Sequence, residues 1–282
     1  MTRLGALLPG ARGYRLAALL AAAFWIAPAF AADLTARDVS ALLFKAAPGN
    51  RPVLSGKNLQ GLDLAGLDFK GADLSKSDLF GADLSGADLS RTNLSGAMLD
   101  RVTLIAARLD GANLDNASLM RPSTTATLTP SRGEAISFKS ASLKGAKFFG
   151  VFAGSNFAGA DLTDAVCAPL NKTGFIEYIW RTDLSGANLS GAQLTRANMM
   201  QTRFSFAVLR DASLHDTILR EADLSGAVLT GADLSGADLT GADLSGADVT
   251  GANLDGAKLH DAKGLESLKG LALARNFERT IR

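Results

Sequence analysis

The sequence is poor in the residues that most catalytic and metal sites require. Its 282 residues include one cysteine and two histidines, and only 6% of them are aromatic. One cysteine excludes an internal disulfide and a cysteine-based zinc site, and two histidines leave little for a histidine-based metal site. We therefore expect no enzymatic activity, no metal and no cofactor.

Net charge is also nearly absent, with 29 basic and 28 acidic residues. The chain therefore lacks the basic footprint that nucleic-acid binding requires, and we expect a protein partner and no nucleic acid. The length alone favours two domains. However, 49 alanines and 45 leucines make up one third of the chain, which indicates a repetitive core.

Long apolar runs are missing except near the start of the chain. One run extends over residues 16–30, follows three arginines and ends in the cleavage pattern Ala29-Phe30-Ala31. These are the parts of a secretory signal, and about 15 apolar residues are few for a span that needs about 20. We predict a signal peptide over 1–31 and a periplasmic or secreted mature protein of net charge −2 without a membrane span. A membrane anchor is the alternative.

A large apolar residue recurs every five residues over most of the chain. The four runs extend from Leu54 to Leu119, from Phe138 to Phe148, from Phe152 to Cys167 and from Leu184 to Leu259, giving 37 units. Neither a helix nor a strand would keep such residues on one face. The period needs a chain that turns a corner every five residues, which is typical of a solenoid.

The units resemble a known family. Residues 71–75 and 231–235 both read Gly-Ala-Asp-Leu-Ser, similar to the A-(D/N)-L-x-x consensus of pentapeptide-repeat proteins. The resemblance implies an all-β solenoid, a right-handed quadrilateral β-helix of about nine coils, in which the central residue and the residue two before it point inward. The predicted solenoid core includes Leu74, Leu84, Leu94, Leu224, Leu234 and Leu244.

Four units per coil imply that outward residues stack at a spacing of twenty. Asp183, Arg203, Asp223 and Asp243 would form one column, and Asp68, Asp88 and Arg108 another. Successive aspartates within a run fall on different faces and cannot converge on one calcium ion, although a weak surface cation site stays open. We expect neighbouring carboxylates within a column to raise each other's pKa.

Short helical caps are predicted at both ends of the solenoid. Residues 32–51 form the N-terminal cap and linker, because Thr35 and Asp38 make a capping box before a helix over 36–47. Residues 262–282, with Leu265, Leu268 and Leu271, are predicted to form a C-terminal capping helix. The alternative use of that helix is docking, including formation of a homodimer.

Two inserts divide the solenoid into the segments 52–119, 136–167 and 182–261. Residues 120–135 are predicted to be a surface insert rich in serine, threonine and proline. Residues 168–181 form an aromatic insert, and we identify Phe175, Tyr178 and Trp180 as candidate partner-binding residues, because aromatic residues concentrate at recognition hot spots. Packing of these side chains on the solenoid wall is the alternative.

The sequence therefore favours a non-enzymatic exported scaffold that mediates protein–protein interaction. A DNA-mimicking, topoisomerase-binding role, which some members of the resembled family have, is disfavoured by the near-zero net charge and the signal peptide. A purely structural spacer in the envelope is the third hypothesis.

Overall fold

The computed structural model describes residues 32–47, 49–69, 71–126, 133–167 and 181–282. The chain divides into two compact units, Met1–Phe30 and Ala31–Arg282, and every described residue lies in the second. The predicted signal peptide therefore lies outside the described residues. In the described part of the chain, no helix has the length and apolar character to cross a membrane. The elements are α1 (Ala36–Lys45), β1 (Ser118–Met120), β2 (Lys147–Phe149) and 3₁₀ helices at Leu265–Ser267, Leu271–Leu273 and Phe277–Arg279.

Most of the second unit is a ladder of parallel bridges between residues that are twenty apart. Val53 bridges Asp73, and Asp73 bridges Asn93 in turn. The backbone N–H of Asp73 donates to the carbonyl of Pro52 at 2.8 Å, and its carbonyl accepts from the N–H of Leu54 at 2.7 Å. Four columns of such bridges run along the unit, so the predicted stacking at a spacing of twenty is confirmed.

The spacing of the bridges changes where the repeat is interrupted. Arg108 bridges Ser137, 29 residues on, Ser137 bridges Asn156, 19 on, and Asn156 bridges Asn188, 32 on. The predicted surface insert at 120–135 starts too early, because Ser123 still bridges Thr103. The buried Thr124 donates its hydroxyl to the carbonyl of Val151 at 2.7 Å. The first residues of that polar stretch therefore belong to the ladder and not to an insert.

At the corners between five-residue sides, a side chain accepts a hydrogen bond from a nearby backbone N–H. The carboxylate of Asp73, directly before the central Leu74, accepts the backbone N–H of Ser75 at 3.0 Å. The same bond recurs along the chain, for example from Ser225 to Asp223 and from Thr250 to Asp248. An aspartate or asparagine in this place satisfies an N–H that the turn would leave unpaired, which explains the D/N of the repeat.

The interior of the solenoid is one continuous apolar cluster. The predicted core residues Leu74, Leu84, Leu94, Leu224 and Leu234 are 0% exposed, and Leu244 is 3% exposed. Alanines two residues earlier are buried beside them, for example Ala72 and Ala232. Each fully buried leucine side chain stabilises the fold by roughly 1.5–3 kcal/mol, before its ordering entropy is subtracted.

The N-terminal helix forms where the capping box predicts it, two residues shorter than expected. The side-chain oxygen of Thr35 accepts the N–H of Asp38 at 3.2 Å, and the carboxylate of Asp38 accepts the N–H of Thr35 at 2.9 Å. Val39 and Leu43 of α1 are buried in the same cluster as the solenoid core. The helix thus covers apolar side chains of the first coil.

The prediction of one helix over 262–282 is wrong. The ladder continues through Lys263, Lys269, Arg275 and Ile281, which lie six residues apart instead of five. Each of the first three is followed by Gly264, Gly270 or Asn276 in the left-handed conformation, with φ of 73°, 69° and 60°. A left-handed residue every six places ends a helix before it can propagate. Leu265, Leu271 and Phe277 instead sit in short 3₁₀ turns, partly buried against the core cluster.

Candidate functional site

The candidate residues of the aromatic insert, Phe175, Tyr178 and Trp180, lie outside the described residues, so their role stays a prediction. The described chain stops at Cys167 and resumes at Arg181. The hydroxyl of Thr182 donates to the carbonyl of Cys167 at 2.8 Å, which joins the two ends of the insert. Cys167 is fully buried, and burial raises the pKa of its thiol.

The side of the solenoid that carries Cys167 differs from the others. Its bridge column, formed by the residues directly before the central ones, runs through Asp78, Met98, Ser118, Lys147, Val166, Asn198, Ile218 and Asp238. Residues directly after the central ones form a second column. The carbonyls of Asp100 and Met120 there accept the backbone N–H groups of Gly81 and Arg101, and β1 pairs Met120 with Phe149. The two columns together make up one outward face.

On this face, seven successive coils each present one large apolar side chain. We call this series the apolar ridge; its members are Phe80, Met98, Met120, Phe149, Val166, Met200 and Ile218. Phe80 and Met98 are 39% and 44% exposed, and Phe149 is buried with 6% of its surface exposed. The other four members are half-buried. By contrast, the opposite face, in its described part between Asp88 and Asp248, presents only Val208 and Val228 among the larger apolar types. The larger apolar side chains are therefore more numerous on the ridge face than on the opposite face, although Val151 and Phe206, 44% and 72% exposed, lie elsewhere on the solenoid.

Methionine accounts for much of the ridge. Only five methionines occur in the chain, and Met98, Met120 and Met200 all belong to the ridge. Methionine side chains are flexible and polarizable, which suits surfaces that adapt to a binding partner. A contiguous exposed apolar patch bordered by polar residues is typical of an interaction site.

Acidic and basic side chains border the N-terminal half of the ridge. Asp100 accepts from the hydroxyl of Ser118 at 2.6 Å and from the N–H of Met120 at 3.0 Å. The guanidinium carbon of Arg101 lies 5.7 Å from the centroid of the Phe80 ring, and Arg101 is exposed to solvent. Arg121 and Lys147 are exposed as well. Asp78, which accepts from Gln60, and Asp100 are thus both engaged within the chain, and Arg101 and Lys147 are exposed along the same half of the ridge.

At the other end of the ridge an ion pair neutralises the surface. Arg220 donates through Nε to the carboxylate of Asp238 at 2.6 Å. Burial alone would raise the pKa of Asp238, but hydrogen bonds from Thr240 and Arg220 hold it below its ordinary value. The outward positive charge of the ridge is therefore concentrated in its N-terminal half.

The predicted charge columns form on two other faces, Asp183 to Asp243 on a neighbouring face and Asp88 with Arg108 on the opposite face. Arg203 donates to Asp183 at 2.9 Å, and Arg108 lies 3.6 Å from Asp88. The expectation of raised carboxylate pKa values is wrong here. Burial raises the pKa of Asp88 and Asp223, but hydrogen bonds from Ser90, and from Ser205 and Ser225, outweigh it, so both pKa values are lowered.

One hydrogen-bonded chain has the residue types of a hydrolase triad. Nδ1 of His215 lies 2.9 Å from the hydroxyl of Ser235, and Nε2 lies 3.1 Å from Asp216. In the usual triad, Nε2 of the histidine faces the serine and Nδ1 faces the aspartate, so the two ring nitrogens have exchanged partners here. The nearby N–H of Gly236 donates to the carbonyl of Asp255, so it cannot serve an oxyanion. Across the described ranges, no group of three or more histidine, cysteine, aspartate or glutamate residues could hold a metal ion.

The five-residue frame hides the ridge from a reading of the sequence. Its members lie at positions either before or after the central residue, and the spacings of 29, 19 and 32 shift the register three times. The members of the ridge line up only when the sequence is written in rows of one coil each, with those shifts included.

Comparison with known proteins supports the fold. The family model for pentapeptide repeats matches with eight copies, over residues 58–96, 181–216, 207–246 and 232–263. No curated protein sequence matches the chain.

Three solved structures illustrate the similarity. HetL, a pentapeptide repeat protein involved in heterocyst differentiation regulation in Nostoc sp. strain PCC 7120, is 27% identical with a TM-score of 0.54, over 86% of this chain and 98% of its own. Rfr23 from Cyanothece 51142 is 30% identical with a TM-score of 0.36, over 46% and 90%. QnrB1, a plasmid-mediated fluoroquinolone resistance protein, is 17% identical with a TM-score of 0.35, over 78% and 95%. The chain belongs to the pentapeptide-repeat family, and its ladder is a quadrilateral β-helix of the kind the resemblance implied.

Proposed function

We propose that the protein is a non-catalytic, exported scaffold that binds a partner protein along the apolar ridge. The observation that carries the proposal is the series of one large apolar side chain per coil over seven successive coils. Solenoids offer rigid, extended surfaces, and a series of this kind on one face matches the interaction surfaces that such repeats use. The signal-like N-terminus supports export to the periplasm or beyond.

We also propose the number and hand of the coils and the way in which both ends of the solenoid are closed. The solenoid has about nine right-handed coils, of which seven carry the ridge; α1 closes the first coil, and the 3₁₀ turns of residues 265–279 close the last. The aromatic insert, with Phe175, Tyr178 and Trp180, is proposed as a second contact for the same partner, because it follows Cys167, which lies on the ridge side, directly in the sequence.

Three variants of the full chain test the proposal by quantitative capture from the exported protein fraction of the native host. The ridge variant Phe80→Ser/Met98→Asn/Met120→Ser places residues that are usual in this repeat on the surface. The control variant Val208→Asn/Val228→Asn makes the matching change on the opposite face. A third variant lacks residues 168–181.

We expect the wild-type and control proteins to enrich the same partner, and the ridge variant to lose it. Equal enrichment by the ridge and control variants would overturn the proposal. Loss only with the insert deletion would assign the site to the aromatic insert alone.

A second function is favoured by one observation. Residues 221–257 contain seven acidic residues and no basic residue. Asp238 and Asp255 are paired with Arg220 and Arg279, and because twenty residues make one coil, the remaining five form an acidic belt less than two coils high. Net charge does not reveal such a belt, so the argument from net charge against the DNA-mimicking, topoisomerase-binding alternative is weaker than the sequence indicated. Inhibition of gyrase supercoiling by the purified mature protein, lost on replacing Asp233, Asp243 and Asp248 with asparagine, would establish this function in place of the scaffold.

A further inference from the structure

We propose that the apolar ridge takes an amphipathic α-helix with acidic flanks, supplied by another protein. This inference rests on the proposed function, because it names the kind of partner that the ridge fits. It is carried by the spacing, the length and the charge of the ridge.

The spacing of the ridge favours a helix over an extended strand. Its apolar residues rise by about 4.8 Å per coil, the distance between paired strands. A helix repeats its apolar stripe about every 5.4 Å, whereas side chains on one face of a strand recur about every 6.7 Å. A helix therefore drifts by about 0.6 Å per coil and stays within half a coil spacing over about four coils, whereas a strand drifts by about 1.9 Å per coil and does so over about one.

The length of the ridge sets the length of that helix. From Phe80 to Ile218 there are six coil intervals, which amount to about 29 Å. At 1.5 Å per residue, a helix of about 19 residues covers this distance. Helix-in-groove partners are recognised by apolar residues spaced three and four apart, which is the pattern that would meet the ridge here.

A second copy of this chain is a poorer occupant. A ridge about 29 Å long and about 10 Å wide offers roughly 300 Å² on each partner, or roughly 600 Å² in total. Stable complexes bury about 1,200–2,000 Å². Two flat ridges would fall well short of that, whereas a helix can bury its apolar stripe and contact both borders of the ridge.

The charge beside the ridge specifies acidic flanks. Arg101 and Lys147 are exposed next to Phe80 and Phe149. Asp100, the acid beside Arg101, already accepts two hydrogen bonds within the chain, and Asp78, the acid in the coil of Phe80, accepts one from Gln60. Carboxylates on a bound helix would complement the outward cations, which raises the association rate and orients the helix.

The test uses two synthetic 19-residue peptides with the same leucine stripe, one flanked by glutamates and one by lysines, each labelled with fluorescein. Fluorescence anisotropy measures their binding to the full mature chain. We expect the glutamate peptide to bind at least tenfold more tightly than the lysine peptide, and the ridge variant to weaken its binding at least tenfold. The opposite-face control should match the wild type, and Arg101→Gln/Lys147→Gln should weaken binding and reduce its salt dependence.

Circular dichroism and thermal unfolding verify that all variants are folded before binding is compared. Equal or tighter binding of the lysine peptide would overturn the inference, as would unchanged binding by the ridge variant. Ridge-dependent binding to vesicles of phosphatidylglycerol and phosphatidylethanolamine, without binding of either peptide, would replace the helix with a membrane surface. Failure of both peptides while the ridge variant still loses its captured partner would leave the scaffold function standing and reject only the helix.

Discussion

At the scale of single residues, two positions in each unit explain why the repeat holds. The central residue fills the interior, and the aspartate or asparagine before it accepts the N–H that the corner exposes. Leu84 is 0% exposed, and Asp83 directly before it accepts the N–H of Ser85 at 2.9 Å. The first position supplies the burial that stabilises the coil, and the second sets the turn.

The central position is expected to be intolerant of truncation. Leu84→Ala should lower the free energy of unfolding by about 2–5 kcal/mol, because the narrow interior cannot collapse around the missing atoms. Leu273→Ala, at a site 67% exposed, should change it by less than about 0.5 kcal/mol. Urea denaturation followed by circular dichroism measures both, and similar losses for the two variants would contradict the assignment of inward and outward positions.

At the scale of elements, the C-terminal coil is the clearest departure from the five-residue pattern. In its six-residue units, Lys263 and Lys269 are followed by Gly264 and Gly270. Both glycines lie close against the preceding coil. A Cβ atom on Gly270 would lie 2.8 Å from Cα of Thr250, closer than real Cβ contacts allow. The extra residue per side lets Leu265, Leu271 and Phe277 fold toward the open end of the core.

Gly270→Ala is expected to detach this terminal coil. The backbone there has φ of +69° and no room for a side chain, so the bridge between Asp248 and Lys269 should open. Gly246→Ala is the matched control: its φ is +66° and nothing lies within 4 Å of the added atom, so only a left-handed penalty of about 1–2 kcal/mol applies. Hydrogen exchange measured by mass spectrometry should rise over residues 258–282 in the first variant and stay low in the second; equal exchange in both would refute the close approach.

At the scale of the whole molecule, the ladder makes stability depend on many weakly shifted carboxylates. Hydrogen bonds from Ser75 lower the pKa of Asp73, and those from Thr250 lower the pKa of Asp248, each from an ordinary value of 3.8. The pKa values of Asp161 and Asp233 are lowered as well, because hydrogen bonds outweigh their burial. Such groups stabilise the fold while they are ionised.

This sets the direction of the pH dependence. Because the folded pKa lies below the unfolded one, the unfolded chain takes up protons first as the pH falls, and the stabilisation is lost as the pH drops through the folded values. We expect the melting temperature to be nearly constant between about pH 7 and pH 5 and to fall between about pH 4 and pH 2. A melting temperature that rises on acidification would contradict the carboxylate hydrogen bonds.

The sequence predicts the repeat, the inward positions and the N-terminal helix, because each depends on local periodicity or on a capping box. It does not predict the end of the chain, where Leu265, Leu268 and Leu271 have helix-like spacing but Gly264 and Gly270 require left-handed backbone. Nor does it reveal the ridge, since the alignment of Met98 with Lys147 and Val166 depends on how many residues each interruption adds to a coil. Register across coils is a property of the closed ladder and not of any one segment.

The central claim is that one face of the solenoid binds the partner, and a cross-linking scan around a single coil tests it most directly. A photo-reactive amino acid is placed in turn at Met98, Thr103, Arg108 and Asn113, which occupy the same position on four successive faces. The account predicts a cross-linked adduct with the captured partner at position 98 and none at position 108 on the opposite face. Adducts of equal yield at all four positions, or at position 108 alone, would contradict it.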